Sequence, residues 1–267
     1  MKTVFANSAW VSALERLVLR GGRLRQIRLK VRFGLVQHPV HGPILIDTGY
    51  TPESLTVPGR SRILRTYSRV LRPQLNSPEQ PAAVLSRFGL TPEDVRFVIV
   101  THFHADHVSG LRQFPNAQFV ANADAFTAVT ASSNAQNMRH GVFPELLPHD
   151  FSQRMIDLNS QPIIDPPGLP DGRDLFGDGS LIAIDLPGHA QGHFGVLIQT
   201  DVGPLLYAVD AQWLRVALPD RIPGYPAKLI AQDDAELKRS CATLWSYMDA
   251  GNATLLCHDP ETSPFDL

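Results

Sequence analysis

Four side chains able to bind a metal ion fall within six residues in the segment THFHADH: His102, His104, Asp106 and His107. In an extended loop, positions 102, 104 and 106 project to one side while 107 turns with the start of a following helix, so the cluster can serve two neighbouring ions. Imidazole and carboxylate suit zinc, iron, manganese or cobalt, and each ion takes three or more protein ligands with one position left for water. The 267-residue chain has 10 histidines but only two cysteines, Cys241 and Cys257. A disulfide framework is therefore excluded, and a metal site must be built from nitrogen and oxygen.

Three later residues extend the set: His189 in LPGHAQGH, Asp210 at the end of LLYAVD, and His258 after TLLC. Each follows an apolar run that reads as a strand, as His102 follows VRFVIV. The carboxyl ends of buried strands are where sites are usually built. Two divalent ions held by these seven groups would leave a positive centre beside which an anion can develop. They would also bring the pKa of bound water to about 7, so that hydroxide forms at neutral pH without a serine or cysteine.

THFHADH followed by PGHAQGH, AVD and CHD, with ILIDTG ahead of them, resembles the metallo-β-lactamase superfamily from about residue 31 to 258. The resemblance implies an α/β fold, the αββα sandwich of two mixed β-sheets flanked by helices, with a dinuclear centre between the sheets. It further implies that His102, His104 and His189 hold one ion, that Asp106, His107 and His258 hold the other, and that Asp210 bridges both. Asp47 of ILIDTG would orient the metal loop, and Asp106 or Asp210 would pass a proton to the leaving group. Zinc leads among the candidate ions.

Within the superfamily, the VQHP turn with ILIDTG, the long loop before the metal strand and the aromatic three residues after Asp210 are similar to the N-acyl homoserine lactonase-like branch. The chain departs from that branch at the last of these positions, where Trp213 stands in place of a tyrosine. An indole N–H donates but is not a phenol. Tyr225 and Tyr207 are the tyrosines considered as replacements, and Phe103, Trp213 and Tyr225 are the expected substrate-binding residues, with Phe143 and Phe151 as further aromatics for an apolar pocket. The implied activity is hydrolysis of a lactone or other ester of a small, partly apolar molecule. A phosphotriester or phosphodiester hydrolase, a mononuclear-iron oxygenase similar to persulfide dioxygenases, and a metal-free binding protein are the alternatives.

The ligands need a scaffold of strands to place them. Arg28, Lys30 and Arg32 alternate with Ile27, Leu29, Val31 and Phe33, which predicts a strand with one wet face. A hairpin turning at Pro39 to Pro43 leads into ILID, and AQFVA, LIAIDL, FGVLIQ, PLLYAVD and ATLLC read as further strands. Helices are expected near 60–71, from Ser77 to Gly89, over 122–131 and over 233–249. Near the N-terminus, Trp10, Leu14, Leu17 and Val18 fall at helical spacing and read as a core-facing helical stripe. Residues 132–172 show no period and read as a lid over the site.

Residues 1–112 carry 16 Lys and Arg against 7 Asp and Glu, whereas residues 113–267 carry 8 against 19. This asymmetry places acidic residues around three of the ligands and disfavours a nucleic-acid partner. No apolar run reaches the length of a membrane span, and the N-terminus lacks the form of a signal peptide. The expectation is one domain over residues 1–267, cytoplasmic, acting on a small molecule without nucleic acid or membrane, and leaving a homodimer open.

Overall fold

The computed structural model describes residues 1–55, 60–218 and 232–267. Seven strands, β1 (Lys2–Leu14), β2 (Gln26–His38), β3 (Gly42–Ile46), β4 (Gln74–Leu75), β5 (Phe97–Ile99), β6 (Gln118–Ala121) and β7 (Met155–Asp157), form one sheet in the order β4-β1-β2-β3-β5-β6-β7. Six more, β8 (Ile163–Ile164), β9 (Gly172–Asp174), β10 (Leu181–Asp185), β11 (Phe194–Thr200), β12 (Gly203–Val209) and β13 (Ala253–Leu256), form a second in the order β13-β12-β11-β10-β9-β8. Both sheets are mixed. β1, β2 and β3 pair antiparallel and β3, β5, β6 and β7 parallel, while in the second sheet only β12 and β13 are parallel.

The alternation of side chains across each strand makes the layers. Phe5, Ile44, Ile46 and Ile99 of the first sheet meet Phe194, Val196, Tyr207 and Val209 of the second in one buried cluster. The opposite face of β10 and β12 packs Ile182, Ile184 and Leu206 against Leu237, Cys241 and Leu244 of the helix Asp234–Asp249. Burying each such aliphatic or aromatic side chain contributes about 1.5–3 kcal/mol. Helices lie outside both sheets, as the αββα expectation requires. The strands expected from AQFVA through ATLLC form, as do the helices Arg62–Leu71, Ala123–Ala131 and Asp234–Asp249. No helix among the described residues is long and apolar enough to cross a membrane.

Three expectations are corrected. Trp10 and Leu14 do not lie on a helix: they belong to β1, which pairs with β2 from Lys2 to Leu14, and only Glu15–Val18 makes a helical turn. The pairing of twelve residues overrides the helical spacing, which here reflects a strand buried unequally on its two faces. Residues 132–172 are not aperiodic either. They hold the helix Asn134–Arg139, the edge strand β7 of one sheet and the edge strand β8 of the other.

The third correction concerns the basic face of β2. Arg32 is fully buried and Lys30 nearly so. Arg32 donates through Nε and Nη2 to Asp266 at 2.7 and 2.9 Å, and through Nη1 to the carbonyls of Leu256 and Asp259 at 3.0 and 2.6 Å. Lys30 Nζ reaches the same carboxylate at 2.8 Å. The alternation was legible, but the acid that draws both cations inward lies more than 230 positions away. Burial works against the charge of Asp266, and the bonds from Arg32 and Lys30 outweigh it and lower its pKa. Arg32→Ala is expected to cost about 3–5 kcal/mol in urea denaturation at pH 7, because it takes their donor from the carbonyls of Leu256 and Asp259 and leaves the half-buried Asp266 with Lys30 as its cationic partner. A carboxyl lowered in the folded state contributes stability above its unfolded pKa. The advantage of wild type over Asp266→Asn should thus be full above about pH 4 and fade as pH falls through the lowered value.

Candidate metal centre

β5 ends at Ile99, and the chain then leaves the sheet through Thr101, His102 and His104 before the short helix Ala105–Val108 begins. His189 follows β10, Asp210 follows β12, and His258 follows β13. The seven sequence-predicted ligands therefore converge from both sheets onto one edge. His102, His104, His189 and Asp210 offer donor atoms within 4.8 Å of one another, and so do His107, Asp210, His258 and Cys257.

The oxygen Oδ2 of Asp210 sits between these groups. It lies 3.3 Å from His189 Nε2, 3.9 Å from His102 Nε2, 3.5 Å from His107 Nε2 and 3.0 Å from His258 Nε2. His104 Nδ1 is 3.0 Å from His189 Nε2, and Asp106 Oδ2 is 3.5 Å from His258 Nε2 and 3.8 Å from His107 Nε2. A tetrahedron with bonds of about 2.1 Å has edges of roughly 3.4 Å, so these separations are those of ligands around ions. The donor set fits metal in a second way. Nε2 of His102, Nε2 of His107 and Oδ1 of Asp210 are buried with no hydrogen-bond partner among the described residues, a costly arrangement unless an ion takes them up. The fold and these His/Asp clusters identify the chain as one that binds divalent metal.

The opposite nitrogen of several of these rings is fixed. Asp47 Oδ2 lies 2.8 Å from His107 Nδ1 and accepts from Thr101 Oγ1 at 2.7 Å, while its Oδ1 accepts from Thr101 N at 2.9 Å. His258 Nδ1 is 2.7 Å from the Lys30 carbonyl and His102 Nδ1 is 3.2 Å from Thr101 Oγ1. These bonds set the tautomer and aim Nε2 inward. The carbonyls that Arg32 holds flank His258, so the buried guanidinium supports this ligand from behind.

Two backbone features were not read from the sequence. Val209 and Asp47, the residues at or next to the ends of β12 and β3, have φ of 53° and 59°. For a β-branched valine this left-handed conformation is a true outlier, and it turns the chain so that Asp210 points inward. His193 secures the turn: its Nε2 accepts from the Asp210 N–H at 3.2 Å and its Nδ1 faces the Leu186 carbonyl at 2.7 Å. Burial first, then its neighbour His189, pushes His193 down to about 3, so it stays neutral and accepts.

The electrostatics divide the imidazoles. Burial, reinforced by the neighbouring rings, holds His102 and His104 well below their ordinary pKa. Burial also opposes charge on His107 and His258, but Asp106 and Asp47 around His107, and Asp210 beside His258, overcome it and raise both. Burial likewise opposes charge on Asp210, and His258 and His107 outweigh it and keep this carboxyl well below its usual range. Without ions, then, one carboxylate is surrounded by rings that compete for it.

A cavity of about 570 Å³ opens onto Asp106, Asp210 and His258, with Trp213 in its wall. Its other side is apolar, from Leu14, Leu17, Val18, Leu29 and Leu71. The aromatic expectations divide. Phe103 packs against Phe126 and Phe151 and borders a smaller cavity of about 240 Å³ behind His104. Phe151 lies in the core, and Tyr207 is buried between the sheets with its hydroxyl on the Arg32 carbonyl at 3.1 Å. Tyr207 therefore cannot replace the lactonase tyrosine, and Tyr225 lies outside the described residues. His38, expected at the surface, is buried, its Nδ1 accepting from the N–H groups of Val40 and His41.

Residues 30–239 match the model of the metallo-β-lactamase superfamily. N-acyl homoserine lactonase AttM of Rhizobium johnstonii is 30% identical, over 92% of this chain and 88% of its own. A probable metallo-hydrolase of Mycobacterium tuberculosis is 28% identical, over 82% of this chain and 72% of its own. Among solved structures, a mutant of B. thuringiensis AiiA with N-decanoyl-L-homoserine bound at the active site superposes with a TM-score of 0.71 at 20% identity, covering 97% of this chain and 93% of that one. Strand order and these likenesses agree: the chain belongs to the metallo-β-lactamase superfamily, in the branch that holds the N-acyl homoserine lactonases.

Proposed function

We propose that the protein is a dinuclear metal-dependent hydrolase that opens a lactone, or cleaves another ester, of a small and partly apolar molecule. The observation that carries the reading is the Asp210 oxygen lying between four imidazole nitrogens on the floor of a cavity whose far wall is aliphatic. His102, His104 and His189 would hold one ion, Asp106, His107 and His258 the other, and Asp210 both. When bound, two divalent ions, zinc foremost with iron, manganese or cobalt as alternatives, supply Lewis acidity for the acyl oxygen and a bridging hydroxide as nucleophile.

The chain's own groups do the rest. Leu14, Leu17, Val18 and Leu29 offer an apolar surface to an acyl chain, which favours a substrate with a hydrocarbon part and excludes water from the reacting ester. In the hydrolysis, oxygen adds to the acyl carbon, the ring or ester C–O bond breaks, and the departing alkoxide needs a proton. Asp106 or Asp210, both at the cavity wall, would carry the nucleophile's proton to it. Relatives named N-acyl homoserine lactonases support this class of substrate.

Metal analysis of protein purified in metal-replete medium is the first test. About two ions per chain are expected; a single iron would instead favour the oxygenase alternative, and no metal would overturn the hydrolase. Asp210→Ala should lower metal content and reduce kcat on the best lactone or ester by at least about a thousandfold, since both ions lose a shared ligand. Asp47→Ala leaves every ligand in place but frees the His107 ring. Its affinity for the second ion should fall roughly 10–100-fold in a chelator competition.

A further inference from the structure

The cavity wall holds two phenols that the chemistry above leaves unused. Tyr50 lies just beyond β3 and Tyr67 on the helix Arg62–Leu71, and both face the same cavity as His104, Asp106, Asp210 and His258. Neither belongs to the Asp210 loop.

Tyr67 is held from three directions. Its ring packs on Phe143 with centroids 4.8 Å apart. Its hydroxyl rests against Gly141, where a Cβ would come within 3.0 Å of Oη. Gly141, at φ of 70°, accepts through its carbonyl from Ala105 N at 3.0 Å, and the next residue, Val142, bridges to His104. The Tyr67 oxygen is therefore registered to the metal loop between His104 and Asp106 by backbone contacts. The third restraint is Tyr50, a buried residue whose own N–H is fixed on Ser8 Oγ at 2.9 Å. Burial raises both phenols, and the two hydroxyls are in contact with one another. Both keep their protons at neutral pH. A hydroxyl can accept one hydrogen bond and donate another, so contact with Tyr50 leaves Tyr67 an O–H to offer to a ligand in the cavity.

A donor fixed in place before substrate arrives stabilises charge developing on an acyl oxygen without reorganising. Trp213 is in the same wall, with its ring set edge-on to His258 at 5.4 Å. We propose that Tyr67, oriented by Tyr50 and Gly141, is the substrate-binding phenol of this enzyme and donates its hydrogen bond to the acyl oxygen of the lactone or ester. The assignment rests on the hydrolase reading above. It places the donor on a helix of the first sheet's side, where the lactonase-like pattern would place it three residues after Asp210.

The test compares wild type, Tyr67→Phe and Tyr50→Phe, each loaded with zinc, on a panel of γ-lactones and aryl esters. Tyr67→Phe removes one oxygen and keeps the ring on Phe143. Its kcat on the best substrate should fall by about 100-fold, with KM changed less than about threefold. Zinc content and thermal midpoint should match wild type, and the loss should be the same at about pH 6 and about pH 9, below the range in which either phenol ionises. Tyr50→Phe, which leaves the donor but frees its oxygen, should fall by a smaller factor, about 3–10-fold. An active wild type with Tyr67→Phe within twofold of it overturns the role given to Tyr67 alone. A zinc-loaded wild type that turns over no lactone or ester overturns the hydrolase reading, and the role of Tyr67 with it.

Discussion

One carboxylate oxygen with four imidazole nitrogens within 4 Å is the constraint on which the molecule is arranged. No set of hydrogen bonds among these groups can satisfy that many acceptors and donors at once. The rings compete for one proton acceptor, and three inward atoms are left without a hydrogen-bond partner among the described residues. Cations resolve the competition, because each nitrogen lone pair then points at positive charge. The cost of assembling the site falls on the folded protein, and the return comes only with metal.

The sandwich exists in order to hold that concentration of donors. Each ligand stands just past a strand whose residues are buried on both faces, and the two sheets supply ligands to the same edge. Around them runs a second layer of restraint. Asp47 and Thr101 brace the first loop, His193 braces Asp210, and the Lys30 carbonyl braces His258. That last brace depends on β2, which Arg32 locks to the segment after β13. A ligand's orientation is thereby linked to the ion pair between β2 and the C-terminal segment.

Much of this was legible in the chain. Strands such as β5, β10, β11 and β12 are short apolar runs ended by polar residues, and their local pattern suffices because both faces are buried. The ligand spacing in THFHADH carries its own geometry. What escaped was set by partners remote in sequence. Arg32 reads as a wet residue until Asp266 is folded against it, and β1 reads as helical until β2 pairs along it. Phe103 packs on Phe126 and Phe151 and borders the smaller cavity behind His104, not the larger one. Tyr67 escaped because an isolated tyrosine among arginines on a solvated helix signals nothing, and its value comes from Gly141 and Tyr50 meeting it in space. Val209 escaped because no residue type announces a left-handed conformation in valine.

The turn at Val209 has one more consequence. A β-branched residue in this conformation lies on the order of 1–3 kcal/mol above its relaxed alternatives, and the pairing of β12 with its neighbours, together with the His193 bond to the Asp210 N–H, holds it there. The direction of the Asp210 carboxylate is thus a property of the whole sandwich rather than of its own loop. The geometry of the centre is therefore tied to the integrity of the core beneath it.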